Sequence, residues 1–350
     1  MFLIDGTCHP YNFSAANLEG RFGKAFADVL YSYHPGVNPP EFAMSREEWD
    51  RDWQADEFIE TMFLESDLDM ICMHSLPIFD AFKDGGSATE KGIWLKQHYP
   101  ERVLWYAGVD MFEGEAAVDH AKYCIEQGAD GIKFYPARYV NGRTEAWRMD
   151  DEGLVYPVLQ AAHDAGIRNV AIHKVLPIGP ISAHGMQVDD LAAAANNFPD
   201  MNFQIIHAGF MFVDETKMLL GNFPNIYATL EASFLLAMLN PDMMHRILDE
   251  FLIFGGPDRV IFASAAVNPH PQVVLDGIAK YELPASSPIQ LTEDVRGLIM
   301  GGNLARLHGI DIEERRAALA DDEISRLRAK EGRRDPFSSV RRRSAEGAAQ

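Results

Sequence analysis

Four histidines of this 350-residue chain directly end short apolar segments, at positions where a strand would finish: His9, His74, His173 and His207. Imidazole is a common ligand of divalent metals and the usual proton carrier near neutral pH. If His9, His173 and His207 meet at one edge of a sheet, three nitrogen ligands could hold a metal and leave room for water or a substrate. The pattern therefore predicts a metal site, with His207 either a further ligand or the catalytic proton carrier.

The segments that carry these histidines alternate with amphipathic stretches such as Glu115–Gln127 and Gly153–Ala165, whose apolar residues have helical spacing. Strands that alternate with helices pair in parallel through right-handed crossovers. Eight such units predict an α/β fold, a closed (β/α)8 barrel of the TIM type, with a doubly wound open sheet as the alternative. The eight strand-like segments are Phe2–Cys8, Asp69–Ser75, Val103–Asp110, Gly131–Tyr135, Asn169–His173, Phe203–His207, Ile226–Leu230 and Val260–Ser264.

Three regions depart from the simple repeat. Residues 12–52 form a long insert after the first strand, expected to be a lid, an interface element or a cover on the barrel end. The apolar stretch Ala232–Leu248 could line a pocket, form a subunit contact or be buried within the chain. Residues 311–350 are charged and helix-prone, which predicts a helical extension and an exposed arm outside a barrel domain of residues 1–310. The arginines at 341–343 could bind an acidic partner surface or be solvated.

Composition argues against several classes of function. The chain has 31 Lys and Arg against 52 Asp and Glu, a net charge of −21, so nucleic acid is not an expected partner. No apolar run reaches about 18 residues, so no membrane span is expected. The N-terminal segment does not resemble a signal peptide. The three cysteines Cys8, Cys72 and Cys124 are widely spaced and form no CxxC motif, a pattern typical of a reducing compartment such as the cytoplasm.

Several longer stretches resemble the aminocarboxymuconate-semialdehyde decarboxylase-like branch of the amidohydrolase superfamily, over residues 1–310 apart from the insert. They are WYAGVDMFEGEAAVDHAKYCIEQGADGIKFYP, LVYPVLQAAHDAGIRNVAIH, IIHAGF, FPNIYATLEAS and GLIMGGNLARLHGI. The resemblance implies a barrel enzyme with one divalent metal, with zinc the expected ion, that decarboxylates, hydrates or hydrolyses small compounds. A lysine at the place of Lys133 is a carbamylated bridging ligand in dinuclear superfamily members, whereas in this branch it more often forms a salt bridge or contacts a substrate carboxylate. Arg138 and Arg143, in the loop that follows, could also hold an anionic substrate or be solvated.

Carried over residue by residue, the resemblance implies metal ligands at His9 and His173 and an acid–base or substrate-binding role for His207. Two further family ligands differ here, because the second first-strand histidine is Thr7 and the eighth-strand aspartate is Ala265. Loss of a carboxylate that activates metal-bound water is expected to slow hydrolysis by about 10²–10⁴-fold. Residues that could replace the missing ligands are Cys8, His74, His184, Glu231, Asn268 and His270.

These observations leave two main hypotheses for the function. In the first, the chain is a metal-dependent hydrolase or decarboxylase that acts on a small carboxylated substrate through a modified mononuclear site. In the second, which Thr7 and Ala265 favour, it is an auxiliary subunit with a degenerate site. Its partner would be a similar barrel chain with a complete site, and the complex could be a metal-dependent oxygenase. A homo- or hetero-oligomer is expected in either case, and a metal-free reaction is a third, weaker alternative.

Overall fold

The computed structural model describes residues 1–348, in which eight parallel strands form a nearly closed barrel with helices between them. This confirms the predicted (β/α)8 fold. The strands of the described chain are β1 (Ile4–Cys8), β2 (Met70–His74), β3 (Val103–Val109), β4 (Gly131–Phe134), β5 (Ala137–Val140), β6 (Arg143–Ala146), β7 (Asn169–His173), β8 (Asn202–Ile206), β9 (Ile226–Thr229) and β10 (Val260–Ile261). Around the barrel the order is β1-β2-β3-β4-β7-β8-β9-β10, and β5 and β6 form a separate antiparallel hairpin.

Helices follow most of the barrel strands and cover them. Strands such as β3 and β7 are buried along their whole length, as expected for parallel strands that have helices outside and side chains inside the barrel. The helices are α1 (Gly20–Val37), α2 (Arg46–Trp49), α3 (Ala55–Ile59), α4 (Thr89–His98), α5 (Glu115–Glu126), α6 (Tyr156–Asp164), α7 (Leu191–Asn197), α8 (Val213–Asn222), α9 (Leu236–Leu239), α10 (Pro241–Gly255), α11 (Pro271–Lys280), α12 (Glu293–Gly297), α13 (Asn303–Leu307), α14 (Ile312–Leu319), α15 (Glu323–Glu331) and α16 (Ser338–Ala348). Shorter helical segments are Pro40–Phe42, Glu60–Leu64, Met111–Glu113, Ser233–Leu235, Pro257–Arg259 and Leu298–Gly302.

The seam between β1 and the chain after β10 closes the barrel. The Gly6 N–H donates to the Phe262 carbonyl at 2.9 Å, and the His9 N–H donates to the Ala266 carbonyl at 2.7 Å. A Cβ atom at Gly6 would lie 2.7 Å from the Phe262 carbonyl oxygen, so only glycine fits this approach. The buried Asp5 carboxylate accepts bonds from the Ser264 N–H and hydroxyl. Burial raises the pKa of Asp5 to about 7, although the Ser264 bonds act in the opposite direction.

The insert of residues 12–52 lies over the mouth of the barrel. Its main element is α1, which buries one apolar face that includes Phe22, Phe26 and Leu30. The stretch contributes to the main hydrophobic core together with Trp49, which is fully buried. The insert is therefore a packed cover on the barrel end, and its α1 helix also forms part of a cavity wall described below.

The C-terminal region that was predicted to be an exposed arm contacts the rest of the chain through some of its described residues. Phe337 and Val340 are fully buried, and Arg341, Arg342 and Arg343 pair with the acidic residues Glu48, Glu60 and Asp56 of the same chain. The arginine cluster therefore neutralises acidic groups of the insert and of the segment between the insert and β2. Residues 349–350 lie outside the described residues, and the domain boundary at residue 310 stays a prediction.

Two expectations from composition concern cysteines and membranes. Cys8, Cys72 and Cys124 are buried and form no disulfide within residues 1–348. Among the same residues, every helix is too short or too polar to cross a membrane.

Candidate active site

A cavity of about 360 Å³ lies at the carboxyl-terminal ends of the barrel strands. Its polar lining comes from residues that end or follow four of them: His9 after β1, His173 at the end of β7, His207 after β8 and Glu231 after β9. The barrel topology therefore brings together the three histidines predicted as metal ligands, with Glu231 from the set of replacement ligands. Ala265, the counterpart of the family's aspartate, lines the same cavity.

Each of the three imidazoles directs one ring nitrogen at a backbone carbonyl. The Nδ1 atom of His9 lies 2.9 Å from the His74 oxygen, and the Nε2 atom of His173 lies 2.7 Å from the Leu176 oxygen. The Nδ1 atom of His207 lies 3.4 Å from the Glu231 carbonyl oxygen. Because a carbonyl only accepts, His9 and His173 carry the hydrogen on these nitrogens, and the other nitrogen of each of these two rings is available as an acceptor or a ligand. The longer contact of His207 does not fix the tautomer of that ring.

The remaining nitrogens face one another and the Glu231 carboxylate. His9 Nε2 lies 3.3 Å from Glu231 Oε1, and His207 Nε2 lies 3.6 Å from Glu231 Oε2. His207 Nε2 is also 3.1 Å from His173 Nδ1. Within the described chain, Glu231 Oε2 is buried and has no hydrogen-bond partner. The arrangement is a compact group of three nitrogens and one carboxylate.

The protein environment favours neutral imidazoles beside an ionised carboxylate. Burial lowers the pKa of His207 to about 4, and Lys133 adds to this effect while Glu231 opposes it. Burial and the neighbouring His207 hold the pKa of His173 well below its usual value. Burial alone would raise the pKa of Glu231, but His207, His9 and Lys133 bring it down to about 2. At neutral pH His173, His207 and Glu231 are therefore in the protonation state that binds cations and accepts protons.

Several residues in or beside the site have left-handed backbone conformations, which are costly for residues other than glycine; among them are Ala232 and Ala265 of the cavity lining. His207 has φ 64° and Val175 has φ 58°. Each such residue costs about 1–2 kcal/mol, and strain of this kind clusters at functional sites. The turn at Val175 brings the Leu176 carbonyl back to the ring of His173. The strained backbone therefore serves the orientation of two histidines in the cavity floor.

The walls of the cavity are mainly apolar. The α1 helix contributes Phe26, Leu30 and Tyr33, and the loop after β7 contributes Leu176 and Ile178. The stretch Ala232–Leu248 has two roles. Its residues Leu235, Leu236 and Leu239 form a further part of the cavity wall. Its residues Met244, Ile247 and Leu248 are buried in the hydrophobic core.

The two predicted contacts to an anionic substrate lie outside the cavity lining. Lys133 is buried inside the barrel, where burial lowers its pKa to about 8 against the opposing charge of Glu231. Arg138 lies in the β5–β6 hairpin rather than in a loop, pairs with Glu145 at 2.9 Å, and has its guanidinium 4.1 Å from the centre of the Phe112 ring. Neither cation is placed to meet a substrate in this cavity.

Most of the possible replacement ligands also lie elsewhere. The Cys8 thiol is buried against the Cys72 carbonyl, and His74 stacks on Tyr106 inside the barrel with ring centroids 4.7 Å apart. His270 is buried against Glu65 at 3.3 Å, and His184 is exposed. The replacement candidates that line the cavity are Glu231 and Asn268.

Sequence reasoning did not identify Tyr135 as a residue of the site. Tyr135 lines the cavity, and its ring stacks on His173 with centroids 4.1 Å apart. Its hydroxyl is buried and has no hydrogen-bond partner among residues 1–348. Burial raises the pKa of Tyr135, so the hydroxyl stays protonated and can donate. Its position at the end of the fourth strand-like segment was the signal available in the sequence.

The metal site that the family implies does not fit at its usual positions. Ala265 has no donor atom, and the Thr7 hydroxyl is bound to the Gly6 carbonyl at 2.7 Å. Among the described residues, no group of three or more His, Cys, Asp or Glu side chains stands ready to hold an ion. The chemistry of His9, His173, His207 and Glu231 does suit zinc or a similar divalent ion, but these donors are bonded to one another.

Comparison with known proteins identifies the family. A family model described as amidohydrolase matches residues 88–310, more than half of the chain. No curated protein sequence matches the chain.

Similar solved structures share the fold at low sequence identity. A TIM-barrel protein from Bordetella bronchiseptica has a TM-score of 0.65 at 16% identity, over 88% of this chain and 99% of the other. The 2,6-dihydroxybenzoate decarboxylase from Rhizobium has a TM-score of 0.59 at 13% identity, over 88% and 99%. A 5-carboxyvanillate decarboxylase from Novosphingobium aromaticivorans with bound manganese has a TM-score of 0.54 at 12% identity, over 88% and 97%. These structures show the shared fold, and the family match over residues 88–310 shows that the chain belongs to the amidohydrolase family, as its sequence motifs predicted.

Proposed function

We propose that this protein is a divalent-metal enzyme of the hydrolase or decarboxylase type that acts on a small substrate. The observation that carries the proposal is the convergence of His9, His173, His207 and Glu231 on the floor of one cavity. Their inward nitrogens and the carboxylate would hold the ion in place of the family's usual ligands. Zinc suits three imidazoles and one carboxylate, and manganese is the ion bound by the related 5-carboxyvanillate decarboxylase.

A bound divalent ion would supply Lewis acidity and lower the pKa of a bound water towards about 7. The chain's own groups supply the remaining functions. The backbone carbonyls behind His9 and His173 fix the orientation of the two rings. Glu231 Oε2, which has no partner among the described residues, is the atom best placed to take up a proton. The apolar walls limit the water that reaches this atom.

Metal content tests the proposal directly. After incubation with zinc or manganese and gel filtration, the wild-type chain is expected to retain about one ion, measured by inductively coupled plasma mass spectrometry. The variants His173→Ala and Glu231→Gln should each lower the metal affinity by about tenfold or more. Glu215→Gln, which changes an exposed glutamate on α8, is the matched control and should keep the wild-type affinity. A folded wild-type chain that retains no ion would contradict the proposal.

A second candidate function is an auxiliary subunit with a degenerate site. Two observations favour it. Thr7 and Ala265 stand where the family has two metal ligands. Within residues 1–348, no group of three or more His, Cys, Asp or Glu side chains is arranged to hold a metal ion. It predicts co-purification with a similar barrel chain and activity only when both chains are present.

A double variant separates the two candidates. Ala265 has φ 63°, a left-handed conformation that aspartate tolerates better than most residues, so Ala265→Asp is structurally acceptable. If the site is degenerate, Thr7→His combined with Ala265→Asp should restore binding of about one ion to a chain that otherwise binds none. A folded double variant that gains no metal would contradict this second candidate.

A further inference from the structure

We infer that the substrate of this cavity is an uncharged, mainly apolar molecule with one hydroxyl or carbonyl group, such as a phenol or an aryl ketone. The inference rests on the proposed function only in taking the cavity as the substrate site. It revises the carboxylated substrate that the family resemblance implied.

The first argument is the absence of a positive side chain. No Lys or Arg of the described chain lines the cavity, and the two cations predicted for this role, Lys133 and Arg138, lie outside the lining. Among the side chains of the cavity, a substrate carboxylate would meet apolar walls and the Glu231 carboxylate. Burial of an anion without a partner is strongly unfavourable, so the cavity selects against anionic substrates.

The second argument is the apolar path from the mouth to the floor. Phe26, Leu30, Ile178 and Leu235 line the cavity and are buried, whereas Tyr33 and Leu239 line it and are 59% and 55% exposed. The exposed pair therefore forms an apolar rim through which a substrate would enter. With about 30 Å³ for each non-hydrogen atom, a cavity of about 360 Å³ accommodates a ring with a few substituents.

The third argument is a set of polar atoms without partners. Among the described residues, the Tyr135 hydroxyl, Asn268 Oδ1 and Glu231 Oε2 are buried and make no hydrogen bond, and all three residues line the cavity. Buried polar groups are normally satisfied, so these atoms are available to a ligand. Tyr135 can donate to a hydroxyl or carbonyl oxygen, while Asn268 and Glu231 can accept from a hydroxyl. An alcohol, phenol or ketone matches this set, and an anion does not.

Binding of three matched probes tests the inference. The neutral probes are para-cresol and para-methylacetophenone, and the anionic probe is para-toluate, which has the same ring and methyl group. Isothermal titration calorimetry is done on the full chain after dialysis against chelator and again after loading with zinc. In the chelator-dialysed form the neutral probes are expected to bind at least about tenfold more tightly than para-toluate. Loading with zinc is expected to narrow this difference, because the ion attracts the carboxylate of para-toluate. Tyr135→Phe should weaken the neutral probes by about three- to tenfold, whereas Tyr123→Phe, on exposed α5 surface, should not.

Equal or tighter binding of para-toluate to the chelator-dialysed form would overturn the inference, and so would the failure of all three probes to bind the folded chain. These outcomes are independent of metal content. A chain that binds one ion but prefers para-toluate contradicts only the substrate inference. A chain that prefers the neutral probes but binds no ion contradicts only the proposed metal enzyme.

Discussion

His173 Nδ1 and His207 Nε2 lie 3.1 Å apart on the cavity floor, and the opposite nitrogen of each ring points at a backbone carbonyl. If both outer nitrogens carry a hydrogen, both inner nitrogens carry a lone pair. Two lone pairs repel at this separation, so the neutral pair requires that His207 carries its hydrogen on Nε2 and donates it to His173 Nδ1, unless a cation lies between the two rings. This pair therefore links the protonation state of the site to its occupancy by a metal.

The first prediction concerns the tautomers of the site histidines. His173 should carry its hydrogen on Nε2, because Nε2 donates to the Leu176 carbonyl, and His9 should carry one on Nδ1, because Nδ1 donates to the His74 carbonyl. Long-range ¹⁵N–¹H correlation spectra of histidine-labelled protein distinguish these forms. Addition of zinc should shift the resonances of the inner nitrogens and leave the outer hydrogens in place. The opposite tautomer at either residue would contradict the anchoring described here.

The second prediction concerns the pH dependence of stability. His308 Nε2 lies 2.9 Å from the Tyr106 hydroxyl, and burial, with a contribution from Lys96, lowers the pKa of His308 to about 3. In the unfolded chain a histidine takes up a proton below about pH 6.5, whereas folded His308 stays neutral until about pH 3. The unfolded state therefore binds more protons in this window, and the free energy of unfolding falls as the pH is lowered.

His308→Gln removes this titration and keeps a side chain that can bond to Tyr106. Between pH 7 and pH 5 its free energy of unfolding, measured with urea, should fall by about 2 kcal/mol less than that of the wild type. His98→Gln, which changes an exposed histidine on α4, is the control and should follow the wild type. Parallel pH profiles for His308→Gln and the wild type would show that His308 does not contribute.

The third prediction concerns the C-terminal segment. The buried Glu65 carboxylate accepts bonds from the Phe337 N–H at 2.7 Å and the Ser338 hydroxyl at 2.8 Å, and it pairs with His270 at 3.3 Å. Burial alone would raise the pKa of Glu65, but these bonds have the larger effect, and the pKa lies below its usual value. Glu65→Ala should reduce the free energy of unfolding by about 2–4 kcal/mol, because it leaves buried donors unpaired.

Trypsin cleavage in the segment 341–343 measures the same effect locally. Those arginines should be cut faster in Glu65→Ala than in the wild type, because the buried anchor of the segment is lost. Glu313→Ala removes a glutamate that is 81% exposed in its pair with Arg316, and this control should change stability by less than about 0.5 kcal/mol. Unchanged cleavage in Glu65→Ala would show that the remaining contacts hold the segment without Glu65.

The sequence allowed the barrel and part of its site to be predicted, because both depend on local patterns. His9, His173 and His207 each follow or end an apolar strand, and closure of a barrel necessarily brings the carboxyl ends of its strands together. The pattern does not show which way each side chain points. Cys8 and His9 are neighbours, yet the Cys8 thiol packs against the Cys72 carbonyl while the His9 ring faces the cavity.

Other features depended on contacts between distant parts of the chain. Glu65 and Phe337 are 272 residues apart, so no local pattern predicts that the C-terminal segment is anchored rather than exposed. The pairing of His270 with Glu65 likewise removes it from the site. The β5–β6 hairpin was predictable in principle, because Asn141-Gly142 is a strong signal for a two-residue turn. That turn places Arg138 in a strand beside Glu145 instead of in the cavity.

The last prediction tests the seam that positions His9 and Ala265. In Gly6→Ala the new methyl group would meet the Phe262 carbonyl oxygen at 2.7 Å and a methyl of Ile261 at 2.9 Å, so the strands must separate. Overpacking of this kind costs about 1–3 kcal/mol. The shift should also weaken the His9–Glu231 contact and, if the site binds metal, reduce the metal affinity. Urea unfolding and metal titration of the folded variant measure the two effects.

Gly36→Ala provides the matched comparison, because it makes the same chemical change where there is space. Gly36 is exposed on α1, and an added Cβ atom meets nothing within 4 Å. Alanine is favoured over glycine inside a helix, so this variant should gain up to about 1 kcal/mol of stability and keep the metal affinity of the wild type. If Gly6→Ala were as stable as Gly36→Ala, the close approach of β1 to Phe262 could not be what closes the barrel. The same substitution is therefore expected to lower the free energy of unfolding at Gly6 and to raise it at Gly36. This contrast separates the clash with Phe262 from the general effect of replacing glycine by alanine.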